Sequence, residues 1–321
     1  MKKIAIIGCG RIAKRHAENI TDIGKLAAVC DELPEKAAAF AESFGAKSYT
    51  SIDDLLKVET TVDLVVVCTP NGLHAEHIIK SLQAGKDVLT EKPLCLTTAA
   101  AWQIIETAKF CRRRLFIVKS ARYNPVLQQL KTIVDRKELG DIYSIQLNCL
   151  WNRNDEYYTD WKGKTFPDGG TLYNQFSHYI DVLLWLFGEI KTVKGFSANF
   201  AHKESVEFED TGTAALQFSS GALGTFNWSV NAYQKNCEIA LTIVAEKGTL
   251  RIGGENLNEV QYAVTEKAFQ FPSYQKENWS NHGEVYAHLL QELQTPTQTF
   301  PDVFDGLRTV ETIEKIYKAT N

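Results

Sequence analysis

An apolar strand that runs straight into a glycine-rich turn and then a helix leaves few folds open, and this chain carries one within its first 25 residues. Lys3–Ile7 reads as a buried strand. Gly8-Cys9-Gly10-Arg11-Ile12-Ala13 follows in the pattern GxGxxA, and a helical run extends from about Arg11 to Ile23. In that pattern Gly8 permits the tight turn, Gly10 lets an anion approach the backbone, and Ala13 keeps the helix close to the sheet. The helix start at Arg11 and Ile12 offers free N–H groups and a positive dipole end to a phosphate. Asp31 closes the next strand, Leu26–Cys30, 18 residues beyond Ala13. That is where an acid accepting ribose hydroxyls belongs in a dinucleotide fold. The expected cofactor is NAD rather than NADP. A carboxylate at 31 would repel a 2′-phosphate, and no arginine follows within the next several residues.

The alternation continues to about residue 120. Helical patterns at Glu35–Phe44, Asp53–Lys57, Ala75–Ala84 and one capped by Thr97 and running to about Arg112 separate strands at Leu64–Cys68, Val88–Thr90 and Leu115–Lys119. Leu64–Cys68 is a continuous apolar run, as a central parallel strand covered on both faces requires. The expected fold is α/β, with a doubly wound parallel sheet. After residue 121 the texture changes. A helix from Pro125, a strand at Ile142–Trp151 and one helix over Thr171–Phe187 precede strand-like runs at 192–201, 211–219, 222–233, 236–246 and 249–253. Ser219-Ser220-Gly221 reads as a hairpin turn. Helical patterns return at 283–294 and 303–319. These features predict a dinucleotide-binding domain at 1–120 and an α+β domain at 121–321. The second domain would hold a large, mostly antiparallel open-faced sheet for substrate binding and oligomerisation. Phe226, Trp228 and Tyr233 are expected aromatics of its uncovered face, which suits a homodimer or homotetramer.

In an open α/β sheet, ligands lie at the carboxyl ends of the strands. Thr69, Pro70 and Asn71 follow one such end, and His74 lies close behind. Glu91-Lys92-Pro93 follows another, so Glu91 and Lys92 are expected to touch the cofactor and Lys92 points to the same crevice. Burial and a cationic ring would both favour a neutral, proton-exchanging lysine. Proline restricts Lys92 to extended geometry and allows a cis bond. Downstream, Gly169-Gly170 precedes Asn174 and His178, which are i, i+4 and share one helix face. Asp181 follows and can support His178. His74 and His77 have helical spacing, but no metal motif accompanies them and no metal is expected.

The segments GCGRIA, CTPNGLH, EKP, ARYNP and GG…NQFSHYID occur in the order seen in the Gfo/Idh/MocA oxidoreductases, and the chain resembles that family over essentially its whole length. The resemblance implies a Rossmann domain, and then an α/β domain whose open sheet often mediates oligomerisation. It also implies hydride transfer between a nicotinamide and a carbinol carbon of a sugar, cyclitol or related compound. Lys92 matches the family's catalytic lysine and His178 its catalytic histidine. Arg122 in Arg122-Tyr123-Asn124-Pro125 matches a segment bordering nicotinamide and substrate, and Trp161-Lys162 resembles an element that borders the nicotinamide. Many members carry aspartate where this chain has Asn174. An amide cannot take a proton, so Lys92 and His178 divide that work and Asn174 orients. Nucleotide-sugar 3-dehydrogenases acting on UDP-N-acetylglucosaminuronate also tend to carry asparagine there, which tilts the expected substrate toward a nucleotide sugar. The competing reading is a non-catalytic NAD- or sugar-sensing regulatory protein on the same fold. The presence of both Lys92 and His178 favours the enzyme.

Composition narrows the remaining classes. The 321 residues are 44% apolar, enough for sizeable cores, and carry a net charge of −4, so no basic field for nucleic acid is expected. Arg112-Arg113-Arg114 reads as a solvated helix end. Seven cysteines are scattered, none closer than Cys95 and Cys111, which fits reduced thiols in the cytoplasm. Ile4–Ile7 is too short for the core of a leader, and no run approaches a membrane span. The sequons at Asn227 and Asn278 are read as chance.

Overall fold

The computed structural model describes residues 2–273 and 280–320, so the Asn278 sequon lies outside the described residues. The chain forms two compact units. The first joins Met1–Lys119 with Asn281–Val310, and the second joins Ser120–Ser280 with Glu311–Asn321.

In the first unit β1 (Lys2–Ile7), α1 (Arg11–Ile20), β2 (Gly24–Cys30), α2 (Pro34–Phe44), β3 (Lys47–Tyr49), α3 (Ile52–Val58), β4 (Leu64–Val67), α4 (His74–Gln83), β5 (Asp87–Thr90), α5 (Thr98–Cys111) and β6 (Leu115–Ile117) alternate. The sheet is parallel, in the order β3-β2-β1-β4-β5-β6. Helices cover both faces, so β4 is buried at every residue, whereas a strand with one wet face alternates. Caps appear where the sequence offers them. Thr97 Oγ1 accepts from the Ala100 N–H at 3.1 Å, and Ser51 Oγ from the Asp54 N–H at 3.3 Å. The three-residue edge strand β3 was not anticipated, because it is short and mostly exposed. The strand order reverses between β1 and β4, which is where such sheets bind ligands.

The returning segment brings α9 (His282–Gln294) against α1 and sets Phe300 edge-on to Phe116, with ring centres 5.4 Å apart. The chain thus passes between units at 280/281 and again at 310/311, as well as near 120. No local pattern marks those crossings, since the contacts that decide them are remote in sequence.

The second unit holds α6 (Pro125–Asp135), β7 (Ile142–Leu150), the single turn α7 (Thr165–Asp168), α8 (Ser177–Phe187), and the strands β8 (Ile190–Ala198), β9 (Thr211–Phe218), β10 (Leu223–Ser229), β11 (Glu238–Ala245), β12 (Gly248–Gly253) and β13 (Glu259–Thr265). Helix α10 (Val303–Thr320) supplies the final residues. The seven strands run β13-β12-β11-β7-β10-β9-β8, antiparallel except for the β7–β10 pair. Edge strand β13, almost wholly exposed, was also not anticipated. The hairpin expected at Ser219-Ser220-Gly221 joins β9 to β10, with Gly221 at φ +95°.

Register assigns the faces. Lys194, Ala215, Thr225, Gln146, Thr242, Arg251 and Tyr262 line one row on the uncovered face. The opposite face carries the core, including Ile145, Leu147, Leu216, Phe226 and Trp228. The expected placement of Phe226 and Trp228 on the open face is therefore corrected. Strand alternation turns both inward, where their rings stack 5.1 Å apart, and Tyr233 lies in a loop. Asn227 faces outward in β10 and donates to Asn148 Oδ1 at 2.8 Å. No described helix is long and apolar enough to cross a membrane.

Candidate active site

In the first unit the glycine turn occupies the strand-order reversal. Gly8 has φ +90°, and a Cβ there would lie 2.7–2.8 Å from the backbone of Cys68 and Thr69. Only glycine allows the β1 and β4 ends to approach so closely. A Cβ at Gly10 would meet no protein atom within 4 Å, so protein packing does not demand a small residue there. Gly10 is the N-cap of α1 and supplies no side-chain cap, leaving the first N–H groups of that helix to another acceptor. These features fit a dinucleotide phosphate. Asp31 is half-buried; its Oδ2 accepts from the Cys9 N–H at 2.8 Å and its Oδ1 from the Leu33 N–H at 3.1 Å. The acid is thereby fixed at the end of β2 beside the glycine turn.

Thr69, Pro70 and Asn71 follow β4, with Asn71 buried. Thr69 Oγ1 is 3.0 Å from His77 Nδ1. His74 is only 1% exposed, and its ring nitrogens lie 2.6 Å from Pro93 O and 2.8 Å from Thr69 O. Its ring thus braces the turn after β4 against the turn after β5, instead of facing outward to a ligand. Burial pushes His74 below its usual value, against the two carbonyls that favour its charged form. Lys92 is half-buried and precedes a cis bond to Pro93.

Glu91, expected to touch cofactor, turns its carboxylate inward. Its Oε1 lies 2.9 Å from His16 Nε2 and 3.0 Å from His282 Nε2, while Oε2 accepts from the Lys92 N–H at 3.2 Å. Sequence reasoning missed this cluster, whose members are far apart in the chain. Only the helical phase of His16, on the buried side of α1, signalled it. Among the described residues these three form the one group with metal-compatible atoms, all within 4.8 Å of one another. The contacts have hydrogen-bond lengths, whereas ligands of a tetrahedral zinc stand about 3.3 Å apart.

In the second unit the helix expected over 171–187 is present but opens with a π turn. Leu172–Phe176 forms a π turn, and α8 starts at Ser177. The π turn inserts an extra residue per turn, a distortion that concentrates at functional sites. Asn174 lies in the π turn and His178 in the first turn of α8, both half-buried. The Ser177 hydroxyl between them is buried with no hydrogen-bond partner among the described residues. Gly170 has φ +120°, and a Cβ there would run into the Tyr317 hydroxyl. That hydroxyl accepts from the Leu172 N–H at 3.0 Å and seats the π turn.

Asp181, expected to support His178, is gripped by Arg122. Arg122 Nε and Nη2 each donate to one carboxylate oxygen at 2.8 Å, and Asp181 is almost fully buried. The Arg122 guanidinium also lies 5.7 Å from the Trp185 ring centre. Trp161 is half-buried, with the Lys162 ammonium 5.5 Å from its ring centre. A group not singled out from sequence adjoins the π turn. The side-chain amide of Gln175 donates to Tyr157 OH at 2.6 Å and accepts from Arg153 Nε at 3.0 Å. Arg153 in turn stacks on Trp151 and Tyr157.

The fold, the glycine turn and the acid after β2 define a dinucleotide-binding domain, and comparison with known proteins agrees. Residues 2–118 match the oxidoreductase family with an NAD-binding Rossmann fold, and residues 127–251 match the GFO/IDH/MocA C-terminal domain. The chain belongs to the GFO/IDH/MocA family. It is 33% identical to the WlbA dehydrogenase of Bordetella pertussis, solved with NADH and UDP-GlcNAcA, covering 99% of this chain and 96% of that one at a TM-score of 0.91. It is 34% identical to the WlbA dehydrogenase of Chromobacterium violaceum, solved with the same two ligands, covering 99% and 93% at a TM-score of 0.92. Glucose-6-phosphate 3-dehydrogenase of Bacillus subtilis is 25% identical, over 99% of this chain and 96% of its own length.

Proposed function

We propose that this protein is an NAD-dependent dehydrogenase that oxidises, or in reverse reduces, a secondary alcohol carbon of a sugar or nucleotide sugar. The observation that carries the reading is the likeness, over nearly the full length of both chains, to two dehydrogenases solved with NADH and UDP-GlcNAcA. Nucleotide-sugar uronates are accordingly the first substrates to test. Gly8, Gly10, Arg11 and Ile12 hold the pyrophosphate, Asp31 takes the ribose and disfavours NADP, and Thr69, Pro70 and Asn71 take the nicotinamide half. Arg122 and Trp161 border the reacting end, with Arg122 fixed by Asp181.

When bound, the nicotinamide supplies hydride acceptance or donation. The chain supplies the proton chemistry. Lys92 Nζ and the His178 imidazole are the two groups assigned to take the hydroxyl proton, and Asn174, an amide, orients only. Holding the reactants together provides the entropic part of the acceleration. We further propose a cytoplasmic homodimer or homotetramer formed through the uncovered sheet face.

The test is a screen of sugars and nucleotide sugars that follows reduced cofactor by absorbance, repeated on variants. Lys92→Ala and His178→Ala should each lower turnover by about 10²–10⁴ with little change in cofactor affinity. The double variant should fall short of the product of the two losses. Asn174→Ala should be milder. Normal turnover of both single variants would refute the mechanism.

A further inference from the structure

The His16–Glu91–His282 group takes no part in the chemistry above, yet it is built from three separate elements of the first unit. We propose that His16 and His282 are positioning residues for Lys92, acting through Glu91, which they hold as a fixed anion one residue before the lysine. The proposal rests on the assignment of Lys92 as a proton-transfer group.

Donor and acceptor logic fixes the arrangement. A carboxylate only accepts, so both imidazoles donate to Glu91 Oε1 from Nε2. His16 Nδ1 then carries no proton and accepts from the Tyr286 hydroxyl, 2.9 Å away. Tyr286 sits one helical turn beyond His282 on α9, so a single helix face supplies a direct donor and the support of the other. The remaining oxygen, Oε2, accepts from the backbone N–H of Lys92 itself. One carboxylate thereby ties α1, α9 and the turn that carries the lysine.

The cluster lies out of water, with His16 and Tyr286 fully buried and Glu91 and His282 nearly so. Burial alone would raise the Glu91 carboxyl. The hydrogen bonds from His16 and His282 outweigh it and hold Glu91 well below the usual carboxylate range. Burial likewise keeps His16 below its ordinary value, toward the neutral form this pattern requires. The other titratable groups facing Glu91 and Lys92 are Cys68 just after β4, whose thiol Glu91 helps to push up, and His74 on α4, whose charged form Glu91 favours and Lys92 disfavours. A fixed anion so close in the chain favours the ammonium form of Lys92 and holds its turn in place.

Competitive acetylation with trace acetic anhydride tests this, read by peptide mass spectrometry over a pH series on the full chain, with and without NADH. Exposed Lys36 serves as the internal reference. Glu91→Gln should move the labelling midpoint of Lys92 down by about one pH unit and leave Lys36 unchanged. His282→Leu should move it the same way, whereas His282→Gln, which returns an N–H where Nε2 stood, should restore it. An unchanged Lys92 midpoint in folded Glu91→Gln overturns the proposal. If that variant does not fold, equal midpoints for His282→Leu and His282→Gln overturn it. Stoichiometric zinc in the purified protein, lost in Glu91→Gln, also overturns it by making the triad a metal site. Normal turnover by Lys92→Ala would remove the lysine's assigned role and leave the labelling result standing, so the two failures are distinguishable.

Discussion

Replacing Glu209 with glutamine should change how the stability of this protein depends on pH. Glu209 is nearly buried, just before β9, and its Oε1 accepts from the Tyr317 hydroxyl at 3.0 Å and from Trp228 Nε1 at 3.3 Å. Burial lifts its carboxyl from an ordinary 4.5 to about 8, against those two bonds, and the neighbouring Asp210 adds to the rise. The folded state therefore binds this proton more tightly than the unfolded chain does. Stability from the group is fully present below about pH 4.5, declines as pH rises, and is lost above about pH 8. At about 1.36 kcal/mol per pH unit, the loss is on the order of 5 kcal/mol. Glutamine keeps the shape and the accepting oxygen but has no proton to lose, and its unpartnered amide costs about 1–3 kcal/mol. Urea denaturation of both proteins should find Glu209→Gln the less stable at about pH 5 and the more stable at about pH 9. Their difference cancels every other titrating group. A difference that does not vary with pH would refute the reasoning. The same variant probes the seat of the π turn, because the Tyr317 hydroxyl that donates to Glu209 accepts from Leu172 N–H.

Asp31→Ser should narrow the preference for NAD over NADP by about tenfold, roughly 1.4 kcal/mol of removed repulsion; equal binding of the two cofactors by the unaltered protein would contradict the assignment. Arg122→Ala leaves the buried Asp181 carboxylate without its bidentate partner and should destabilise the fold by about 3–5 kcal/mol in thermal or chemical denaturation. Arg122→Lys should recover only part of that, since an ammonium cannot make the paired fork; a wild-type melting temperature for Arg122→Ala would show the pair to be dispensable. Light scattering at micromolar concentration should give a dimer or tetramer, and a monomer would remove the role proposed for the uncovered sheet face.

Local chemistry made the first unit legible. The GxGxxA turn, the apolar β4 run and the acid after β2 each state their role within a few residues, because period, turn chemistry and helix start are short-range properties. The threonine cap of α5 and the glycine hairpin between β9 and β10 were legible for the same reason. What sequence could not supply was the partner of each polar side chain. Asp181 lies one helical turn from His178 and pairs with Arg122, 59 positions away in the chain. Glu91 stands in a cofactor-edge tripeptide and turns inward to His282, 191 positions on. The π turn at Leu172–Phe176 follows a seat made by Tyr317, and no helical period records it. Phe226 and Trp228 were placed in strands correctly but on the wrong face, because alternation fixes which residues share a face and only packing decides which face is covered. The sequence thus determined most of the helices and strands and their order, which are set by short-range sterics and periodicity. The tertiary structure decided which charges meet and which face is wet, because those depend on desolvation and hydrogen bonding between residues that only folding brings together.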